Sequence, residues 1–283
     1  MATLGYLGPP GTHSEAAAIY LSKLKEEPPE LKPYADIYLI TQAVLTGEID
    51  AGLVPVENSL EGSINITLDL LAHDEEIIVD TELIWGVHNH LMANCPAEAV
   101  KMIYSHAQPL AQCRDYLKQH YPKAQLIATS STSRAAASVA AADPADGCAA
   151  ICTERGGELY GLTMIDRDIQ DNMTNCTRFY EVKRRPLEQG EQEKGKVLLI
   201  CQIDGQRAGS LCEVLEEFAS RSVNMTRIES RPSRHGLGEY IFFFDLETSC
   251  KRENLEAAIE AVHRRSVWDR HCGEFPVIFA DNI

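Results

Sequence analysis

Short apolar runs of four or five residues alternate along most of the chain with longer stretches in which apolar positions recur every three or four residues. This rhythm predicts strands over residues 3–7, 36–40, 51–54, 101–104, 126–128 and 148–152, and helices over 16–25, 41–47, 64–71, 110–121, 135–142 and 153–159. Strand and helix in alternation predict an α/β sheet. Residues 77–93 are long and β-rich, and they are interrupted by Gly86, as expected of a segment that crosses between two lobes. Beyond residue 195 the order changes to strand (196–204), helix (211–220), two strands (225–230 and 239–246), helix (254–265) and an extended segment to residue 277. That is the βαββαβ order of ferredoxin-like folds. The polar run from Pro186 to Gly195, P-L-E-Q-G-E-Q-E-K-G, separates the two patterns as a linker. At 283 residues, two domains are the natural division.

Polar loops stand between strand ends and helix starts, where open α/β sheets place ligands. Gly8 to Glu15 carries Thr12 and Glu15 at capping-box spacing, so the first free amides of a helix would face back over a strand end. The loop is similar to a nucleotide P-loop, but His13 interrupts it and the lysine is missing, which argues against a nucleotide. Pro55 to Ser63 offers Asn58 and Ser59 between Glu57 and Glu61; those two carboxylates are expected to be solvated helix-end charges. Ser105 and His106 precede the helix that carries Gln112, and His106, beside a proline turn, is expected at the surface or in packing. Thr129 to Ser133 is five hydroxyls in succession, more than one helix cap needs. Asp171 to Phe179, D-N-M-T-N-C-T-R-F, gathers Asn172, Thr174, Asn175 and Thr177 as uncharged donors beside Arg178, whose planar fork suits carboxylates. Each loop also has a plain structural alternative as a turn or a cap. Together they suit a small anion whose oxygens must be held and protonated.

The net charge of -16 disfavours nucleic acid and anionic membranes as partners, so an anionic ligand needs a locally positive pocket. No apolar run reaches the length of a membrane span, and the N-terminus enters a strand pattern without a basic leader, so a cytoplasmic location is expected. Nine cysteines, odd in number and without a Cys-x-x-Cys pair, predict packed thiols. No Ser/His/Asp order, His-x-x-x-His pair or G-x-G-x-x-G run appears, and neither a metal nor an organic cofactor is expected. Gly209-Ser210-Leu211 at a helix entry, with Asn224 at the next strand, could hold the charged groups of an amino acid, although a tight turn and a cap explain them as well.

The chain resembles bacterial prephenate dehydratases with a C-terminal ACT domain over essentially its whole length. The resemblance rests on G-P-P-G-T-H-S-E (residues 8–15), V-P-V-E-N-S-x-x-G-S-I (54–64), Y-S-H-A-Q-P (104–109) with Gln112, S-T-S-R-A-A (131–136), N-x-T-R-F (175–179), G-S-L (209–211) and E-S-R-P (229–232). It implies a bilobed, periplasmic-binding-protein-like α/β catalytic domain (residues 1–185) with its active site in the cleft, a linker (186–195) and an ACT regulatory domain (196–283). The implied reaction converts prephenate to phenylpyruvate, water and carbon dioxide without a cofactor. Thr177 matches the family's essential threonine, and Asn58, Ser105 and Gln112 match implicated positions. Thr12, Ser131, Thr132, Asn175, Arg178 and Phe179 are expected to contact substrate, with Arg178 and the helix-start amides near Thr12 and Ser131 on its carboxylates. Ser130 stands where some relatives carry a glutamate. The ACT resemblance implies feedback inhibition by L-phenylalanine bound between two such units of a homo-oligomer, dimer or tetramer, at Gly209, Ser210, Leu211, Asn224, Glu229, Ser230, Arg231 and Pro232. Arogenate dehydration, or a non-catalytic anion sensor built from the same loops, are the alternatives; the hydroxyls around Ser133 are where arogenate preference would be sought.

Overall fold

The computed structural model describes residues 2–185, 195–234 and 238–282. The linker, apart from Gly195, lies outside the described residues.

The first unit begins β1 (Thr3–Leu7), α1 (His13–Lys23), β2 (Glu30–Tyr34), α2 (Ile37–Thr46), β3 (Ala51–Asn58), β4 (Gly62–Ser63), α3 (Asn65–His73) and β5 (Ile77–Gly86). The chain then crosses to a second sheet. It forms β6 (His90–Ala93), β7 (Met102–Ser105), α4 (Ala107–Gln112), α5 (Arg114–His120), β8 (Gln125–Ala128), α6 (Thr132–Ala140), β9 (Cys148–Cys152), α7 (Glu154–Leu159) and β10 (Thr163–Asp166), and returns as β11 (Cys176–Arg184). The crossing expected near Gly86 therefore exists. It has a return partner in residues 167–175.

One expected element changes type. Residues 36–40, expected as a strand, open α2, and the strand is β2 just before it. Asp36 caps the helix by accepting the Leu39 amide at 2.8 Å. Ile37, Ile40, Thr41 and Val44 then fall on one buried face at helical spacing, whereas β2 is a polar edge strand that tolerates Pro33. The expected helix over 110–121 is two short helices meeting at Cys113.

The second unit is β12 (Lys196–Ile203), α8 (Ser210–Ala219), β13 (Met225–Pro232), β14 (Tyr240–Glu247), α9 (Arg252–Arg265) and β15 (Ser266–Phe275), in the expected βαββαβ order. Its antiparallel sheet runs β13-β14-β12-β15. Alternation splits β12 cleanly. Val197, Leu199 and Cys201 pack under α8 and α9, while Leu198 and Ile200 share a core with Val54, Tyr180 and Val182 of the first unit. The sheet of the second unit is thus stacked on the first sheet of the first unit. The final strand, β16 (Val277–Phe279), leaves the second unit altogether and pairs in parallel with β5, so the last residues belong to the first sheet.

Candidate active site

The register between β3 and β11 sets the site. Thr177 pairs with Asn58 and Arg178 with Glu57, but Phe179 pairs with Pro55, so Val56 is passed over. Such a bulge re-aims the side chains beyond it. Val54 and Val56 face the second unit, and without the slip Asn58 would follow them. With it, Asn58 and Thr177 stand side by side toward the space between the two sheets, and Glu57 and Arg178 face away.

Asn58 is buried and rigidly held. Its Oδ1 accepts the amides of Leu60 (3.1 Å) and Glu61 (3.2 Å), which leaves Nδ2 to donate to Thr177 Oγ1 (3.0 Å) and Asn175 Oδ1 (3.0 Å). Ser59 Oγ also donates to Asn175 Oδ1 at 3.2 Å. The Thr177 hydroxyl accepts from Asn58, so its proton is available to a bound oxygen.

Asn58 and Thr177 border a cleft of roughly 330 Å³ between the sheets. Thr12 and His13 enter from the start of α1, Ser130, Ser131 and Thr132 from the start of α6, and His106 and Gln112 from α4 and the turn before it. Both helices are capped by hydroxyls. Thr12 Oγ1 accepts the Glu15 amide at 3.4 Å, and Ser131 Oγ accepts the Arg134 amide at 3.0 Å. Glu15 completes the N-terminal arrangement one residue earlier than expected, since its carboxylate takes the Gly11 amide at 2.6 Å. Phe179, fully buried, forms part of the floor and packs into the core under α1.

Asn89, from the segment between β5 and β6, and Gln112, at the end of α4, also border the cleft. Asn89 Nδ2 donates to Gln112 Oε1 at 3.4 Å, and Asn89 Oδ1, Gln112 Nε2 and His13 Nε2 are buried without a hydrogen-bond partner. Buried polar atoms without partners are costly; of these, Gln112 Nε2 can donate to an oxygen of a ligand in the cleft, whereas Asn89 Oδ1 can only accept from a ligand hydroxyl. Burial pushes the His13 imidazole down to about 4, so at neutral pH it is uncharged. A larger cavity of about 760 Å³ is bordered by His88, His90, Arg155 and Arg167, but several of its charges are already matched. His88 meets Asp168 at 2.6 Å and Arg167 meets Glu154 at 2.7 Å.

Three expected site residues, Ser105, Arg178 and Asn175, are placed elsewhere. Ser105 is fully buried and donates to the Ile151 carbonyl at 2.7 Å, joining β7 to β9 instead of reaching the cleft. Arg178, expected on a substrate carboxylate, is turned to the opposite face of β11. There it meets Asp245 at 2.8 Å, Glu82 at 3.1 Å and Glu57 at 3.4 Å. The pleat decides this, since adjacent residues of a strand cannot face the same side. Asn175 supports Asn58 without itself lining the cleft. Ser133 binds the Pro10 carbonyl and so ties α6 to the loop after β1. His106 is exposed at the rim of the cleft. His13 and Asn89 lacked a signal in the sequence, because a histidine inside a glycine turn and an asparagine between two histidines have no spacing that marks a cleft.

In the second unit, Gly209 adopts a left-handed backbone at φ 85° and precedes α8, with Ser210 buried and donating to the Arg207 carbonyl at 2.8 Å. Asn224 is exposed, and its carbonyl accepts the Glu247 amide at 2.9 Å. Glu229 and Arg231 face the first unit. Glu229 accepts the Ser63 hydroxyl at 2.7 Å, and Arg231 meets Asp69 at 3.3 Å. Ser230 and Pro232 alternate with them and are exposed.

Comparison with known proteins accords with this geometry. The family model described as prephenate dehydratase matches residues 4–187. The chain is 36% identical to the prephenate dehydratase of Lactococcus lactis subsp. cremoris, over 97% of both chains. It is 33% identical to that of Methanocaldococcus jannaschii, over 96% of this chain and 97% of the other. A crystal structure of prephenate dehydratase from Arthrobacter aurescens in complex with L-Phe superposes with a TM-score of 0.86 at 33% identity, covering 97% of this chain and 90% of that one. With the family model spanning the first unit and relatives matching both units end to end, this chain belongs to the prephenate dehydratase family, whose members are lyases.

Proposed function

We propose that the protein converts prephenate to phenylpyruvate, water and carbon dioxide in the cleft between its two sheets, and that L-phenylalanine inhibits it through the second unit. The observation that carries the first half is the Asn58–Thr177 pair at the cleft wall. In the reaction, the electron pair of the breaking bond to the ring carboxylate moves into the ring as carbon dioxide departs. The ring becomes aromatic and the hydroxyl at its far side leaves with its bonding pair. That oxygen needs a proton, or a strong hydrogen bond, as negative charge develops on it. Thr177 supplies the donor, oriented by Asn58. A threonine hydroxyl is a weak acid, so its contribution is a directed hydrogen bond, with the water-forming proton delivered from solvent as the site opens.

The pyruvyl carboxylate is held by the amides at the starts of α1 and α6, near Thr12 and Ser131, where helix ends present unpaired N–H groups to anions. Asn89, Gln112 and neutral His13 complete the polar wall. Arg178 takes no part in binding. Residues 1–185 form the catalytic domain, residues 196–276 the ACT domain, and the enzyme works in the cytoplasm as a homo-oligomer that binds phenylalanine around Gly209, Ser210, Leu211, Asn224 and Ser230. Support for the inhibitor comes from the Arthrobacter aurescens relative, which was crystallised with L-Phe.

Incubation of purified protein with prephenate at neutral pH, following phenylpyruvate with and without phenylalanine, tests both halves. Product formation suppressed by phenylalanine is expected. Absence of product from prephenate overturns the activity, and inhibitor-independent turnover overturns the regulation.

A further inference from the structure

Directly behind Thr177 and Asn58, their strand neighbours Arg178 and Glu57 enter a network of charges that spans the junction of the two units. Arg178 meets Asp245 of β14, while Arg227 of β13 reaches Glu57 at 3.1 Å and Asp245 at 4.0 Å. Lys196 of β12 closes the set on Glu82 at 2.9 Å. Asp245 and Glu82 are completely buried and Arg227 is 8% exposed. Burial raises the Asp245 carboxyl, opposed by the two arginines. Burial also opposes the charge on Arg178, but Glu82, Asp245 and Glu57 outweigh it and its pKa rises. The pairing is therefore held at high desolvation cost, where losing either partner leaves an uncompensated charge.

The network is also unevenly satisfied. Arg227 Nε and Nη1 lie within ion-pair distance of Glu57 and Asp245, yet neither forms an aligned hydrogen bond. Arg227 Nη2 does donate to Ser63 at 3.3 Å, and Ser63 in turn donates to Glu229 on the same strand. Glu57 is bonded to the residue that orients Thr177.

We propose that Asp245 and Arg227 are positioning residues for the reaction: acting through Arg178 and Glu57, they fix the separation of Thr177 and Asn58, and a ligand that moves β13 alters the cleft by this route. The coupling half rests on the reading of L-phenylalanine as a ligand of the second unit. No residue of the network lines the cleft, so its effect falls on the alignment of the reacting groups more than on substrate affinity.

The test uses the full-length protein and the variants Asp245→Asn, Arg227→Met and Arg227→Lys. Asp245→Asn and Arg227→Met are expected to lower kcat about 10-fold with KM within about twofold, as misplacement of a reacting group does. Arg227→Lys, which keeps the charge, is expected to recover part of the loss. Calorimetry is expected to show phenylalanine binding unchanged while its effect on turnover shrinks. Hydrogen exchange, which needs no activity, is expected to quicken at the amides flanking Asn58 and Thr177 and to stay unchanged in β1 and β9. Should Asp245→Asn fail to fold, the two Arg227 variants carry the test alone. Unchanged kcat and unchanged exchange at β3 and β11 overturn the positioning role. A wild-type enzyme that phenylalanine does not inhibit overturns the regulatory reading while leaving kcat and exchange to judge the positioning role.

Discussion

Asn58 donates to Thr177 Oγ1 at 3.0 Å, and its own oxygen is fully engaged by the amides of Leu60 and Glu61. The amide cannot flip without breaking two backbone contacts, so the direction of the bond to Thr177 is fixed. A hydroxyl that must accept from its neighbour can give its proton only toward the cleft.

That direction is testable. Thr177→Val keeps the shape and removes the donor, and is expected to lower kcat by about 10²–10³, the usual cost of one lost transition-state donor. Asn58→Asp replaces the donor by an acceptor, so the Thr177 proton turns to the carboxylate. A loss at least as large as that of Thr177→Val is expected, while Thr177→Ser retains most turnover. Steady-state kinetics with circular dichroism to confirm folding decides it, and near-normal turnover in Thr177→Val would remove the assignment.

Arg178→Met is expected to leave KM for prephenate within about twofold, because the guanidinium is on the far face of β11. Stability is expected to fall by about 3 kcal/mol, since buried Asp245 loses its nearest cation and keeps only Arg227 at 4.0 Å, while Glu82 retains Lys196. Chemical denaturation beside the kinetics separates the two effects. A large rise in KM at unchanged stability would return Arg178 to the substrate.

Ser105→Ala removes the donor to the buried Ile151 carbonyl. A stability loss of about 1–3 kcal/mol is expected, with kcat and KM of the folded enzyme nearly unchanged. A selective fall in kcat would instead place Ser105 in the chemistry.

His13 links stability to pH. Its folded value of about 4 lies below the ordinary 6.5, so between these limits the unfolded chain binds the proton and the folded one does not. Stability is therefore whole above pH 6.5 and declines as pH falls toward 4, by about 3 kcal/mol at roughly 1.4 kcal/mol per unit. Denaturation curves of the wild type and His13→Phe across this range are expected to diverge, the variant losing less. Parallel curves would mean that His13 is not held neutral by burial.

Much of the architecture was legible in the chain because local rules fixed it. Cys148–Cys152 is a run too short and too apolar for anything but a buried strand, and Gly47 ends α2 with a left-handed residue at φ 74°. The βαββαβ order beyond residue 195 followed from element periodicity alone. Residues 36–40 misled because four apolar residues fit either a strand or the first turn of a helix. What decided between them was burial of Ile37, Ile40 and Val44 on one face, a tertiary fact.

The site divides in the same way. The sequence alone pointed to neutral donors at strand ends and helix starts as candidates for the chemistry, because residue type and its place after an apolar run are local properties. It could not say which side of a strand each would face. That depended on the bulge at Val56, which turns Asn58 toward Thr177, and on the stacking of the second unit's sheet, which supplies Asp245 to Arg178 and Arg227 to Glu57. A pleat alternates side chains whatever they are, and only the partners brought up against each face decide which one holds a substrate and which one holds the protein together.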